Sequence, residues 1–385
     1  MSPALPLSGL TVVEMGSSVA APFGAQVLAE LGATVVKIEN PQGGDDARLW
    51  GPPVFEGAST TFCALNRNKL SAAVDLKDAA QLTGLRRFIL EQADVVLQNM
   101  RSGVVERLGL DAVTLQAAKP SLIYCNLSAF GTAGPLCGKP GYDPMMQAFG
   151  GIMSFTGEEG REPVRVGPSI IDQGAGMWAV IGILAALHRR DATGEGTVID
   201  TSLYETALGW TTVQAATFLA SGRVPRRIGS ENAGIAPYKA YRAADDAWLV
   251  IAAGNDGLFR RLAGVLGHPE WADDPQFRTN PDRVANREQL NQLVAETVAT
   301  AACAEWLARF DAADLPAAPV LSLDQVLAHP QSQAVAMLQP APDGGLPLLG
   351  IPLQFDGVRP PYRSPPPSLG RDTAALQSID RRAGE

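Results

Sequence analysis

The chain opens on a strand, a helix and a second strand in quick succession, and this order limits the fold more than any other feature. LTVVEM is a short unbroken apolar run, Pro22 to Leu31 has helical spacing, and ATVVKIE is the next apolar run. Val-rich runs of that kind separated by a helix predict parallel strands with helices packed on them. ADVVLQNM and SLIYCNLSAF are further strand candidates, with a helical pattern around Val104 to Leu110 between them. A chain of 385 residues exceeds the size at which one hydrophobic core usually stops growing, so a second lobe is expected. The composition changes near Arg223 to Arg227. From about Tyr238 the pattern reads as a smaller α+β lobe, opening with a hairpin around Asp245 and Asp246. Near the end, VRPPYRSPPPSLG must be extended, because successive prolines cannot continue a helix.

Several functions are disfavoured at this level. The turn after the first strand reads GSSVAAPFG and lacks G-x-G-x-x-G, so Glu39 at the second strand's end is not read as an NAD selector. A formal charge of −9 argues against a nucleic-acid binder, which normally carries a basic surface. Cys63, Cys125, Cys137 and Cys303 show no metal spacing and read as free thiols of a reducing cytoplasm; the three histidines form no HExxH arrangement. No secretory signal is seen at the N-terminus. The longest apolar stretch, Met177 to Leu187, is too short to span a bilayer, so no membrane partner is expected.

Asp172 stands before a helical run whose first turn, Gln173-Gly174-Ala175-Gly176, is almost bare of bulky side chains. An aspartate there has two readings. It is an ordinary helix N-cap, or it is a nucleophile whose neighbouring N–H groups and small residues, Gly174 and Gly176 among them, admit a large ligand and stabilise an oxyanion. Asp143, after Tyr142 in GKPGYDPMMQAFGG, is a capping or turn residue, or a second acid that orients Asp172 or the acyl group. Asn99, Met100 and Arg101 fall at a strand end, where α/β folds place ligand-contacting loops. Arg101 and Arg107 are solvated cations or phosphate contacts. Arg48 in DDARLWGPP and Arg67, Asn68 and Lys69 in NRNK are turns on a solvated face or a polar cluster for substrate.

In order and spacing, these segments resemble the class III CoA-transferases, the family of formyl-CoA transferase, carnitine CoA-transferase and α-methylacyl-CoA racemase. The likeness runs from LSGLTVVEMGSSVAAPFG through NRNKLSAAVDLKD, ADVVLQNMRSGVVERLGL, GYDPMMQAFGG and VGPSIIDQGAGMWAVIGILAALHRR to PPPSLGRDT. It implies an interlaced homodimer, each subunit a large lobe with a Rossmann-like parallel sheet plus a smaller α+β lobe. On this sequence that gives a large CoA-binding lobe over 1–205, a linker over 206–227 and a small lobe over 228–322. Residues 323–385 form a linker and a tail returning to the large lobe. The resemblance places the catalytic nucleophile on Asp172, supported by Asp143 and Tyr142. It also implies a CoA thioester as substrate, a carboxylic acid as acceptor and no permanently bound cofactor or metal. Asn99, Met100 and Arg107 match CoA-contacting positions, and Ala20 and Lys37 lie in the matching first β-α-β unit. Two positions depart from the family: Ser17 stands where His or Arg is frequent, and Asn40 where some members have Arg. Racemases of the family carry a histidine where this chain has Tyr142, and a phenol, with a pKa of about 10, is a poor base towards a carbon acid. Transfer is therefore preferred to racemisation, and to a non-catalytic CoA-binding role, which would have no need of Asp172. The segments lie closest to members that move CoA between dicarboxylic acids.

Overall fold

The computed structural model describes residues 5–377, which divide into two compact units. Of these, the first unit holds residues 5–152, 165–220 and 330–377, and the second holds 153–164 and 221–329.

In the first unit, β1 (Thr11–Met15), α1 (Ala20–Glu30) and β2 (Thr34–Glu39) form the expected β-α-β start. A small ribbon follows, β3 (Val54–Phe55) and β4 (Ala58–Ser59), then α2 (Thr60–Asn66), β5 (Leu70–Ala73), α3 (Ala79–Gln92) and β6 (Val95–Gln98). After them come α4 (Val104–Leu108), α5 (Ala112–Ala118) and β7 (Ile123–Ser128). Next are α6 (Asp143–Phe149), the single turn α7 (Ile152–Phe155), which leads into the second unit's residues 153–164, and then, again in the first unit, the long α8 (Ile170–Thr193). β8 (Val198–Ser202), α9 (Leu203–Trp210) and α10 (Thr212–Ser221) follow, so much of the stretch read as a linker is helical.

Six strands make one parallel sheet in the order β5-β2-β1-β6-β7-β8. The inner strands β1 and β6 are buried along their whole length, which is why they read as continuous Val runs. Successive residues alternate between faces. Val13, Met15, Val36, Ile38, Val96 and Tyr124 pack with Leu85, Phe88 and Ile89 of α3 and Leu115 of α5. The opposite face carries Glu14 and Lys37, and α1 and α8 cover it. Strand order runs outward from β1 to β2 and β5 on one side and to β6, β7 and β8 on the other. The reversal between β1 and β6 creates the crevice at the strands' carboxyl ends where such sheets bind ligands.

Two strands of this sheet escaped the sequence reading. β5 lies inside a segment dense in polar residues, and β8 (VIDTS) alternates as an edge strand beside a helix signal. The outer edge of β5 is covered by the C-terminal tail: Ser71 N–H donates to Asp372 Oδ2, Asp372 N–H to Ser71 O, and Ala73 N–H to Thr373 Oγ1.

The second unit carries β9 (Tyr238–Arg242), β10 (Trp248–Ala252), α11 (Asp256–Val265), α12 (Asn280–Ala285), α13 (Arg287–Val298), α14 (Cys303–Ala312) and β11 (Ala317–Pro319). The expected hairpin around Asp245 and Asp246 joins β9 and β10, with Asp246 in the left-handed region, and β11 adds an antiparallel third strand. Leu249 and Ile251 pack with Phe259, Leu262, Leu290, Val294, Trp306 and Phe310 into a separate core.

Candidate active site

Helix α8 starts at Ile170, so Asp172 is a first-turn residue and not the N-cap. The cap position, Ser169, makes no side-chain capping bond. Helix N-termini leave N–H groups without intrahelical partners, and here another helix supplies the acceptor. Asp143 Oδ2 accepts from Ile171 N–H at 2.8 Å and from Asp172 N–H at 3.3 Å. Gln147, one turn along α6, holds Asp143 by donating Nε2–H to its Oδ1 at 2.6 Å, and its Oε1 accepts Val166 N–H at 2.8 Å. Asp143 thus performs the capping considered for Asp172, and the Asp172 carboxylate is not spent on its own helix.

Both aspartates are buried, and burial is the larger reason that the Asp172 carboxyl is pushed up to about 7. The negative charge of Asp143 adds to it. A carboxyl poised near neutrality and poorly solvated is the kind of group that functional sites build. Tyr142, directly before Asp143, is exposed.

Gly174 and Gly176 serve packing, contrary to the reading that small residues there admit a ligand. A Cβ on Gly174 would lie 2.8 Å from the Trp210 ring and 2.9 Å from Thr206 Cγ2 of α9. One on Gly176 would lie 2.6 Å from Ala20 O and 2.9 Å from Gly24 N of α1. Ala20 itself is buried in that contact.

A second feature lies at the sheet's switch point. A cavity of about 240 Å³ sits at the carboxyl ends of β1, β2 and β6, lined by Ser17, Asn40, Asn99 and Met100 together with Asp45 and Lys77. Four of the expected CoA-contacting residues, from three separate loops, therefore meet. Arg107 is exposed on α4 outside this lining. α1 begins shortly after Ser17, and its first turn touches α8 at Gly176, one turn beyond Asp172.

The remaining expected positions are corrected by burial and pairing. Lys37 is fully buried and bound to Glu14 and Asp45, so it does not face a ligand. Arg48 pairs with Glu39, Arg67 with Glu30 and Lys69 with Glu14, all inside the protein. Asn68, also buried, accepts the N–H groups of Arg363 and Ser364 at 2.7 and 3.0 Å. Neither a solvated turn nor a substrate cluster describes Arg67, Asn68 and Lys69 of the NRNK segment, because their side chains join α1, the sheet and the tail. Sequence reasoning missed Gln147, Glu14 and Asp45. Gln147 had a usable signal, four residues after Asp143 on a helix; the other two become visible only through contacts distant in sequence.

Residues 7–373 match the sequence profile of CoA-transferase family III. The chain belongs to that family. It is 36% identical to the succinate–glutarate CoA-transferase of Agrobacterium fabrum (strain C58), over 98% of this chain and 97% of that one. It is 37% identical to the acetyl-CoA:oxalate CoA-transferase of Acetobacter aceti, over 97% and 95%. A CaiB/BaiF family protein from Brucella suis superposes with a TM-score of 0.87 at 39% identity, covering 97% of this chain and 99% of that one. As a family III member this protein is an enzyme, a CoA-transferase, and a CoA thioester is its substrate. Among the described residues no group of three His, Cys, Asp or Glu side chains is placed to hold a metal ion. One helix among the described residues, α8, is long and apolar enough by length and composition to cross a bilayer, which corrects the length read from Met177 to Leu187 alone. It packs on α1 by backbone approach at Gly24 and Gly176, and on β7 and β8.

Proposed function

We propose that this enzyme moves CoA from an acyl-CoA donor, such as succinyl-CoA, to a dicarboxylic acid through a thioester on Asp172. The observation that carries the role of Asp172 is its position: a buried carboxylate on a helix's first turn whose capping duty is taken by Asp143. In the first step an Asp172 carboxylate oxygen attacks the thioester carbonyl. The C–S bond breaks, giving an aspartyl–acyl anhydride and CoA thiolate. The thiolate then attacks Cγ of Asp172 and expels the donor acid, leaving an aspartyl–CoA thioester. An acceptor carboxylate oxygen attacks the same carbon and releases thiolate, which takes the new acyl group and restores the Asp172 carboxylate. No proton or electron is consumed, and each bond broken is replaced by one of similar type. Asp143 holds the α8 N-terminus in place through these exchanges, and Tyr142 lies beside it at the surface.

Support for a dicarboxylate comes from the relatives' substrates, glutarate and oxalate. The cavity formed by Ser17, Asn40, Asn99 and Met100 receives the adenosine end of CoA, and exposed Arg107 meets its phosphates. With Ser17 and Asn40 in place of cations, hydrogen bonds contribute more to that end and charge contributes less. The large unit is the CoA-binding lobe. A homodimer is favoured by the exposed apolar row Met177, Trp178, Ile181, Trp210, Val213 and Phe218 on α8, α9 and α10.

Trapping tests the central claim. After incubation with succinyl-CoA, borohydride should reduce the thioester and change the mass of the peptide bearing Asp172, and Asp172→Ala should abolish both labelling and transfer while remaining folded. Label on Asp143, or undiminished turnover by Asp172→Ala, would sink the assignment. Glutarate, oxalate and monocarboxylates compared as acceptors test the substrate class, and turnover of monocarboxylates alone would reject it.

A further inference from the structure

Between the sheet and α1 lies a four-charge cluster that the transfer chemistry does not use. Glu14 Oε1 accepts from Lys37 Nζ at 2.7 Å, and Glu14 Oε2 accepts from Lys69 Nζ at 2.8 Å. Asp45 Oδ2 pairs with the Lys37 ammonium at 2.8 Å. All four side chains are buried, and their formal charges cancel. Burial works against the Lys37 ammonium, yet Glu14 and Asp45 outweigh it and hold its pKa above the ordinary value. Lys69, with burial dominant and Lys37 nearby, is pushed down to about 8.

Buried ion pairs seldom stabilise a fold more than apolar packing of equal volume, so stability alone is a weak account of this cluster. Lys69 Nζ also donates to Pro22 O and Asn66 Oδ1, and Asp45 Oδ1 accepts Ala47 N–H, but the further bonds of the Lys37–Asp45 pair also reach one turn. Lys37 Nζ also donates to Gly16 O at 2.7 Å, and Asp45 Oδ1 accepts Ser18 N–H at 2.9 Å. Asn99 clamps the residue between them, accepting Ser17 N–H and donating to Ser17 O, both at 3.0 Å. Ser18 sits at φ 71°, a region costly for an L residue, so side chains must hold the turn in this shape. Gly16, Ser17 and Asp45 form a wall of the cavity at the strand ends.

We propose that Lys37 and Asp45 are positioning residues for CoA: their ion pair fixes the Gly16–Ser18 turn in the shape that receives the adenosine end. The inference rests on the reading of that cavity given above. Lys37 acts from beneath the turn, which explains why a cation in the first β-α-β unit is fully buried. Removing the charge on Asp45 leaves Lys37 with a neutral partner and loosens the turn, while Asp172 and its supports are untouched.

The test compares two donors, succinyl-CoA and S-succinyl-pantetheine, the second lacking the nucleotide. Asp45→Asn should raise KM for succinyl-CoA at least tenfold with kcat changed less than threefold, and should alter kcat/KM for S-succinyl-pantetheine less than twofold. An equal loss with both donors, or no loss with either, overturns the proposal. If Asp45→Asn does not give a cooperative unfolding transition, Asp45→Ser serves, since it keeps an acceptor for Ser18 N–H and removes the charge. Asn40→Trp, which fills the cavity mouth from an exposed position, tests the underlying reading separately. An unchanged KM in that variant rejects the cavity as the CoA site and the proposal with it. A raised KM there, beside an unaffected Asp45→Asn, rejects the positioning role alone.

Discussion

At the scale of single residues, the proposed chemistry rests on the Asp143–Asp172 pair. Asp143 has two effects of opposite use: it holds the N-terminus of α8, and its charge makes Asp172 harder to ionise. A nucleophilic carboxylate must be ionised, so kcat/KM should fall on the acid side with a midpoint near 7. Asp143→Asn removes the like charge and leaves burial in place, which lowers the Asp172 pKa. The acid limb of the pH–kcat/KM profile should therefore move to lower pH, by on the order of one unit, while the plateau drops as Gln147 loses its carboxylate partner. A limb that stays in place or moves to higher pH would contradict the electrostatic coupling described here.

At the scale of elements, the contact between α1 and α8 decides where Asp172 stands relative to the strand ends. The two helices meet through glycines, with a Gly24 Cβ only 3.0 Å from Gly176 O. Helix propensity alone would make Gly176→Ala stabilising by about 1 kcal/mol. Overpacking against Ala20 O opposes it by roughly 1–3 kcal/mol, and backbone on both sides leaves little room to yield. Gly176→Ala should lower the urea midpoint and reduce turnover. Gly84→Ala, inside α3 with open space around the added methyl, should raise the midpoint slightly. Stabilisation by both substitutions would show that the helices separate more easily than this packing implies.

At the scale of the whole molecule, the C-terminal segment belongs to the first unit as firmly as the N-terminal strands do. Its backbone supplies partners to Arg48 through Pro367 O, to Arg67 through Leu348 O, and to Asn68 through two N–H groups. Asn68 also sits at φ 63°, where asparagine is tolerated better than most residues. Asn68→Ala should cost roughly 2–4 kcal/mol from two lost hydrogen bonds and backbone strain, and limited proteolysis should then cut the tail before the sheet unfolds; an unchanged cleavage pattern would argue against this anchoring. The sequence by itself determined the parallel sheet, because Val-rich runs and the intervening helix are local patterns with a single economical packing. It also determined the ordered family segments, and with them the enzyme class and the proposal of Asp172 as nucleophile. Only the tertiary structure decided what the polar residues do. Arg48, Arg67, Lys37 and Lys69 look identical in sequence to solvated or ligand-binding cations, and their carboxylate partners lie 8 to 55 residues away. Gly174 and Gly176 likewise looked open to a ligand until Trp210 and Ala20 filled the space. The carboxylate at the start of α8 changed as well: Asp143 does the capping, and Asp172 is left buried and available. Charge neutralisation and helix contact depend on three-dimensional neighbours, and local sequence carries no record of them.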